Sequence, residues 1–341
     1  MRARYEPPGR DIVVVGASAG GVEALRTLAA GLPAHFPAAL FVVLHIPPTS
    51  SLLPAILTRA GKLPAEHARD GEAVEDGRIY VAAPDYHLLI EDDVMRLQRG
   101  PRENGHRPAI DPLFRTAAMR YGPRVTGVIL SGSLDDGING LGAIKRLGGA
   151  VVVQDPDEAL YPTMPRSAVE AGLADHIASV AEIPELLVQL ATTQVAGNRS
   201  ISRAMDADPT QLDPETITAE NRANGELSGF VCPECKGPLW ELNEGKVVKL
   251  RCRVGHTFTE ETLEHEQGIA LEGAMWTALT ALIEKGDFSR RLAERFRRGG
   301  HFETARRYEL QARNALEQAD LIRTALRNLE MMPTADELQV S

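Results

Sequence analysis

Short apolar runs alternate with amphipathic, helix-like segments through residues 11–190. Such runs are typical of strands buried on both faces, and their alternation with helices predicts a doubly wound, mostly parallel α/β sheet. The predicted strands are residues 11–16, 39–45, 78–82, 86–90, 94–98, 124–131 and 150–154. The predicted helices lie near residues 20–30, 52–60, 111–120, 138–147, 164–172 and 182–191. The run 78–98 is expected to form an antiparallel meander joined to this sheet.

The pattern changes after residue 192. Residues 193–228 are rich in Thr, Asn, Asp, Ser and Pro, so we expect a linker that is flexible for part of its length. Residues 263–330 show helical periodicity, with a bend at Gly299–Gly300, and residues 331–341 are expected to be a flexible tail. A seam of coiled-coil type joins Tyr308, Ala312, Ala315, Ala319, Ile322, Leu326 and Leu329, and a similar stripe joins Leu271, Met275, Ala278 and Leu282. An antiparallel hairpin explains both stripes, and a docking or self-association surface is the alternative.

Composition narrows the classes of function. A chain of 341 residues allows two or three domains, and its net charge of −10 argues against an extended nucleic-acid footprint. The basic cluster of arginines within residues 290–298 is expected to form a solvated face, as such clusters most often do. No apolar run approaches the length of a membrane span and the N-terminus has no apolar signal core, so we expect a cytoplasmic location.

The stretch from Ile12 to Leu25 predicts a buried strand, a tight turn of small residues and the start of a helix. Such a turn exposes one side chain beside free backbone N–H groups and the positive end of a helix. Here that side chain is Ser18, in the G-x-S-x-G spacing of a nucleophile elbow. The alternative is the phosphate-binding turn of a dinucleotide-binding domain. That turn expects a glycine in place of Ser18 and an acidic residue, not His45, after the second strand.

Three predicted strand ends bring a hydroxyl, an imidazole and a carboxylate to one edge of the sheet. Ser18 and His45 follow the first two strands, and Asp135 or Asp136 follows the strand that ends near residue 131. A serine needs a neighbouring base, and that base needs a carboxylate that orients it. Either aspartate could instead be a helix N-cap, a common use of Asp before a helix. Other histidines, namely His35, His67, His106 and His176, are expected to be ordinary surface residues.

Residues 10–190 resemble the catalytic domain of CheB-type chemotaxis methylesterases, which act as protein-glutamate methylesterases on chemoreceptors. The motifs that carry the resemblance are, in order, Val15–Gly21 (VGASAGG), His45–Pro47 (HIP), Tyr80–Pro84 (YVAAP), Arg107–Asp111 (RPAID), Leu130–Gly137 (LSGSLDDG) and Met164–Arg166 (MPR). The resemblance implies a catalytic domain over residues 1–192, with Ser18 as the nucleophile and His45 as the base. It assigns the orienting acid to Asp136, which precedes Gly137 as the family's aspartate precedes its glycine.

The implied reaction hydrolyses a glutamyl methyl ester on a methylated chemoreceptor, or on another signalling protein, without a cofactor for catalysis. The backbone N–H of Ala19 is one natural oxyanion donor, and the loop around Ser133 is expected to supply a second. The family commonly has Thr at position 19 and Gly-Met-Gly where this chain has Ser133–Leu134, so contacts to substrate are expected to differ. The standard family member also carries a receiver domain before the catalytic domain. Because at most ten residues precede the match here, we expect no control by phosphorylation in cis, and contact with a membrane only through the receptor.

The remaining motif joins three cysteines and a histidine. Cys232-x2-Cys235 is followed after sixteen residues by Cys252-x3-His256, the spacing of two knuckles around a tetrahedral zinc. Because four protein ligands close the site, we expect a structural zinc within a zinc-ribbon-like module at residues 229–262. The alternative is a set of buried cysteines without a metal.

Two other classes of function stay open. One is an esterase or amidase that acts on a different protein substrate, including one that deamidates glutamine with the same machinery. The other is a catalytically idle signalling scaffold that keeps the fold. We also hypothesise that the C-terminal part of the chain, residues 193–341, takes the place of the receiver domain as a regulator or targeting device.

Overall fold

The computed structural model describes residues 9–46, 51–195, 214–244 and 247–330. The predicted tail and residues 196–213 of the predicted linker lie outside this range. Up to residue 195 the strands are β1 (Ile12–Ala17), β2 (Ala39–Leu44), β3 (Ala65–His67), β4 (Ile79–Val81), β5 (His87–Glu91), β6 (Val94–Gln98), β7 (Val125–Ile129), β8 (Ala150–Gln154) and β9 (His176–Ala178). The helices are α1 (Gly21–Gly31), α2 (Leu53–Ala60), α3 (Ile110–Tyr121), α4 (Ile138–Arg146), α5 (Thr163–Glu170) and α6 (Ile183–Thr192).

One seven-stranded sheet organises this part of the chain. Its order is β3-β4-β2-β1-β7-β8-β9, and every neighbouring pair is parallel. Side chains of a strand alternate between the two faces, so Val14 of β1 joins one apolar core and Val13 joins the other. Helices cover both cores, with Phe114 of α3 on the first face and Leu25 of α1 on the second. The predicted doubly wound α/β fold is confirmed.

The expected meander at residues 78–98 is wrong in one respect. Strands β5 and β6 do form an antiparallel pair, but β4 belongs to the parallel sheet, between β3 and β2. The short edge strands β3 and β9 were not predicted. Each has only three residues, which is too few to show a periodicity.

The next part of the chain forms a small module of helix α7 (Pro214–Asn224) and strands β10 (Gly225–Val231), β11 (Pro238–Glu244), β12 (Val247–Cys252) and β13 (Thr257–Phe258). The strands form one antiparallel sheet in chain order. Residues 214–228 were predicted as linker, but they form α7 and the start of β10. Ile217, Thr218 and Asn221 of α7 are buried, so tertiary packing overrides a weak local pattern.

Long helices complete the chain, α8 (Glu260–Arg298) and α9 (Phe302–Glu330). The described chain divides into two compact units, Met1–Leu263 and Glu264–Ser341. Within the second unit Leu279 of α8 packs against Ala319 and Leu326 of α9, and the break between the helices falls at the predicted glycine pair. Leu271, predicted to lie in the seam, is instead largely exposed. No helix among the described residues is long and apolar enough to cross a membrane.

Candidate active site

Three central strands deliver the predicted site residues to one edge of the sheet. Strand β1 lies between β2 and β7. Ser18 directly follows β1, His45 directly follows β2, and Asp136 lies in the turn between β7 and α4. Their side chains therefore meet where the connection from β1 runs to one side of the sheet, toward β2, and the connection from β7 runs to the other, toward β8. Open parallel sheets bind ligands at this position.

Backbone hydrogen bonds fix the turn that carries Ser18. The N–H of Ser18 donates to the carbonyl of Ser131 at 3.0 Å, and the N–H of Gly21 donates to the carbonyl of Ser18 at 2.9 Å. Gly20 has a φ of +69°, and a Cβ atom there would lie 2.7 Å from Ser131 Oγ. The turn thus requires glycine at position 20 for both its backbone angle and its space.

A continuous chain of hydrogen bonds links the three side chains. His45 Nδ1 lies 3.2 Å from Ser18 Oγ, and His45 Nε2 lies 2.8 Å from Asp136 Oδ2. Because an ionised carboxylate only accepts hydrogen bonds, Nε2 carries the hydrogen and donates to Asp136. The lone pair of Nδ1 then faces the hydroxyl of Ser18, where it can accept the serine proton.

Asp136 is buried and accepts three hydrogen bonds. The donors are His45 Nε2, the backbone N–H of Ile110 at 2.7 Å and the side-chain amide of Asn104 at 2.8 Å. Burial alone would raise the pKa of Asp136, but the hydrogen bond and charge of His45, with the Ile110 N–H, hold this pKa at about 2. The carboxylate is therefore ionised at neutral pH.

A second buried carboxyl lies beside it. Asp111 Oδ1 accepts the backbone N–H of Gly140 at 2.6 Å, and Asp111 Oδ2 accepts the amide of Asn104 at 3.3 Å. Burial and the negative charge of Asp136 raise the pKa of Asp111 to about 7. The pKa values of the two carboxyls are thus shifted in opposite directions, and the negative charge resides on Asp136, which contacts His45.

The sequence left Asp135 and Asp136 as alternatives from the residues alone, and only Asp136 contacts His45. Asp135 Oδ1 instead accepts the hydroxyls of Thr259 and Thr262. The N-cap interpretation is wrong for both aspartates. Gly137 occupies the N-cap of α4, and no side chain caps that helix.

Sequence reasoning missed several residues that surround the hydrogen-bonded side chains of Ser18, His45 and Asp136. His106, expected on the surface, stacks on His45 with ring centroids 3.6 Å apart and planes at 17°. Ser131 Oγ donates to the carbonyl of Ala19 at 2.8 Å and so stabilises the turn that carries Ser18. Asn104 begins an Asn-Gly pair with φ values of +50° and +73°, a pair typical of a tight turn, and this pair was the available signal.

The predicted oxyanion donors lie on the two loops that flank Ser18. Ala19 directly follows Ser18, and Ser133 lies on the loop after β7 that also carries Ser131. Neither backbone N–H has a hydrogen-bond partner among the described residues. The N–H of Gly132, by contrast, donates to the carbonyl of Tyr161 at 3.0 Å.

The candidate metal site lies in residues 214–262, here called the C-terminal module. The ligand atoms of Cys232, Cys235, Cys252 and His256 all lie within 4.8 Å of one another. Bond lengths of about 2.3 Å for Zn–S and about 2.0 Å for Zn–N place tetrahedral ligands about 3.8 Å (S to S) and about 3.5 Å (S to N) apart. The Sγ atoms of Cys235 and Cys252 lie 3.6 Å apart, and His256 Nδ1 lies 3.6 and 3.7 Å from the Sγ atoms of Cys252 and Cys232. The donor set therefore fits a tetrahedral metal of the size of zinc.

Comparisons with known proteins match the first half of the chain. A protein of Leptospira interrogans is 41% identical over 182 residues, which are 53% of this chain and 94% of that protein. A protein of Methanosarcina mazei, named protein-glutamate methylesterase/protein-glutamine glutaminase 2, is 35% identical over 191 residues, 53% of this chain and 52% of that protein. The crystal structure of the Thermotoga maritima CheB methylesterase catalytic domain is 35% identical, with a TM-score of 0.51, and the match covers 53% of this chain and 98% of that one.

The family model described as CheB methylesterase matches residues 13–187. That range runs from the second residue of β1 to the middle of α6, and it contains Ser18, His45 and Asp136. The C-terminal module and the helices α8 and α9 lie outside it. The chain therefore belongs to the CheB methylesterase family and to the enzyme class of protein-glutamate methylesterases.

Proposed function

We propose that this protein is a serine esterase that hydrolyses glutamate methyl esters on a methylated chemoreceptor or a related signalling protein. The observation that carries the proposal is the hydrogen-bonded chain from Ser18 through His45 to Asp136 at the edge of the sheet. A hydroxyl that faces the lone pair of an imidazole, itself held by an ionised carboxylate, is the arrangement that activates serine.

The reaction proceeds through an acyl-enzyme. Ser18 Oγ attacks the ester carbonyl while His45 Nδ1 takes the serine proton, and the ionised Asp136 stabilises the resulting imidazolium. Collapse of the tetrahedral intermediate breaks the bond to methoxide, which leaves as methanol after His45 returns the proton. Water then attacks the acyl group with His45 again as base, which releases the glutamate carboxylate and restores Ser18.

The backbone N–H groups of Ala19 and Ser133 are the proposed oxyanion donors. Their N–H groups have no partner among the described residues, so they are available to a developing negative charge. Each well-placed donor typically lowers the barrier by about 2.7–4 kcal/mol.

The proposal extends to the C-terminal module, where Cys232, Cys235, Cys252 and His256 hold a structural zinc. The metal would supply rigidity rather than chemistry, because four protein ligands leave no open position. His256 Nε2 lies 3.5 Å from Glu234 Oε2, and a carboxylate behind a histidine ligand is a common support of zinc sites.

Glutamine deamidation is a second candidate activity on the same site. The Methanosarcina relative is named for both activities, and attack on a side-chain amide uses the same nucleophile and base. The proposal also includes a cytoplasmic location, no nucleic-acid partner, approach to a membrane only through the receptor, and the option of self-association through the C-terminal helices.

Methanol release from a methylated chemoreceptor cytoplasmic fragment tests the proposal, with Ser18→Ala as the matched variant. We expect release by the wild type and a loss of at least roughly 10³-fold in the variant. Labelling by an organophosphonate probe accompanies the assay. No methanol, with Ser18 still labelled, would contradict the substrate and point to another ester or amide. Neither methanol nor labelling would contradict the hydrolase and favour a scaffold.

A further inference from the structure

The C-terminal module makes direct contact with the turn that supports the catalytic carboxylate. Residues 103–106, here called the Asn104 turn, are closed by backbone hydrogen bonds between Glu103 and His106. Strand β13 of the module pairs with this turn, since the N–H of Asn104 donates to the carbonyl of Thr257 at 2.7 Å. The N–H of Thr257 completes the pairing with the carbonyl of Arg102 at 3.3 Å.

The side chain of Asn104 connects this module to Asp136. Its amide nitrogen donates to Asp136 Oδ1 at 2.8 Å, and its amide oxygen accepts the backbone N–H of Thr259 at 3.2 Å. Asn104 and Thr259 are both buried. Because the oxygen is held by Thr259, the amide cannot rotate without losing a buried hydrogen bond, so its N–H group stays aimed at the carboxylate.

A second contact reaches the residue before Asp136. Thr259 Oγ1 and Thr262 Oγ1 donate to Asp135 Oδ1 at 2.7 and 2.9 Å, while Thr259 Oγ1 accepts the N–H of Thr262 at 3.2 Å. Thr259 thus caps the start of α8, and Asp135 lies at the positive end of that helix. These bonds anchor the backbone that carries Asp136.

We propose that residues 257–262 of the C-terminal module are a positioning element for the active site, with Thr259 and Thr262 as positioning residues. The backbone N–H of Thr259 holds Asn104 on one side of Asp136, and the hydroxyls of Thr259 and Thr262 hold Asp135 on the other, so the carboxylate of Asp136 keeps its orientation toward His45. The same contacts place the triad under the control of the module, whose metal ligand His256 directly precedes this segment. The inference rests on the proposed esterase function.

Variants of Thr259 and Thr262 distinguish a role in positioning Asp136 from a purely structural role of these residues. Thr259→Val and Thr262→Val, combined, remove both hydroxyls at nearly constant volume, and Thr259→Ser keeps the hydroxyl. Thr280→Val is the matched control, because Thr280 is exposed on α8 and its hydroxyl bonds only within the helix, to the carbonyl of Trp276.

The primary readouts are kcat and KM for methanol release and the rate at which the organophosphonate probe labels Ser18. We expect the double variant to have kcat and labelling rate lowered about tenfold and KM nearly unchanged. The reason is that it loses two hydrogen bonds to the carboxylate of Asp135, which does not contact the substrate. The serine variant and the control should keep wild-type values. The downfield proton resonance of His45 Nε2–H, which reports its bond to Asp136, should shift or broaden in the double variant only.

A double variant with wild-type kcat, labelling rate and proton resonance would overturn the proposal, whatever its thermal stability. A tenfold fall in both rates with an unchanged near-ultraviolet circular dichroism spectrum supports it. Failure of the proposed substrate gives a different result, because the wild type itself would then release no methanol. The ratio of labelling rates between the variant and the wild type would still test the positioning role.

Discussion

Replacement of Asp136 by Asn tests the electrostatic core of the site with a nearly isosteric change. In the wild type one carboxylate oxygen accepts from His45 and from Ile110 N–H, and the other accepts from Asn104. An asparagine has only one acceptor oxygen. If that oxygen faces His45 and Ile110, the new NH₂ meets the NH₂ of Asn104. If the amide is turned, the NH₂ meets Ile110 N–H and favours the histidine tautomer with hydrogen on Nδ1, which cannot accept the serine proton.

The magnitude follows from the charge that is removed. The Nε2 to Oδ2 distance of 2.8 Å puts the centres of charge of an imidazolium and the carboxylate roughly 4 Å apart. At an effective dielectric constant of about 20 their attraction is about 4 kcal/mol. A barrier raised by this amount slows acylation about 10³-fold. The figure approaches the roughly 10⁴-fold loss known for the same change in serine-protease triads.

The assay is the labelling rate of Ser18 together with kcat for methanol release. Asp157→Asn is the matched control, since Asp157 is an exposed carboxylate in the loop after β8. A titration of the Asp111 carboxyl by infrared spectroscopy gives a second readout. Without the charge of Asp136, the pKa of Asp111 should fall from about 7 toward its ordinary value of 3.8. An Asp136→Asn protein that keeps more than about a tenth of the wild-type rate would refute this reasoning.

Three further changes have defined outcomes. Gly20→Ala puts a Cβ 2.7 Å from Ser131 Oγ at a φ of +69°, so it should lower the free energy of unfolding by at least about 1–2 kcal/mol and slow probe labelling; an unchanged urea midpoint would contradict this. The Asp111 pKa of about 7 lies above its unfolded value of 3.8, so its contribution to stability is full below about pH 4 and is lost as pH rises through 7. Asp111→Asn should therefore gain stability relative to the wild type as pH rises across that window, by up to about 1.4 kcal/mol per pH unit. Urea titrations measure the difference in unfolding free energy between variant and wild type, and a difference that stays constant between pH 5 and 7.5 would contradict the raised pKa of Asp111. Cys252→Ser or chelation should lower the unfolding temperature of the C-terminal module and release bound zinc, and an identical melting curve would argue against a structural metal.

The parts of the fold that the sequence predicts are those where the local pattern and the tertiary role agree. Strands β1 and β2 are continuous apolar runs, and every residue of β7 is buried, because both faces of these strands are covered. Ser18 and His45 directly follow β1 and β2, and the two aspartates lie in the turn after β7. Because parallel strands share their carboxyl edge, the sequence predicts that Ser18, His45 and an aspartate lie close together. Edge strands β3 and β9 lack this signal, since β3 has only one buried residue and β9 has none.

Helix α7 shows the opposite case. Its sequence, Pro214–Asn224, contains one strongly apolar buried residue, Ile217, and was assigned to a linker. Asn221 is nevertheless fully buried, because its side chain donates to the carbonyl of Cys252 at 3.3 Å and accepts from Arg251 Nε at 2.6 Å. The partners of this helix lie about thirty positions away along the chain. A local hydrophobic pattern does not contain that information.

The choice between Asp135 and Asp136 required the same kind of non-local information. Both aspartates follow β7, and spacing alone gives each of them an equal claim to His45 and to the N-cap of α4. In the folded chain the N-cap position falls to Gly137, with φ +99°, and the two carboxylates turn to different partners. Asp136 meets His45, which lies 91 positions earlier, and Asp135 meets Thr259, which lies 124 positions later. The two adjacent carboxylates therefore contact different parts of the fold, Asp136 the imidazole of His45 and Asp135 the C-terminal module.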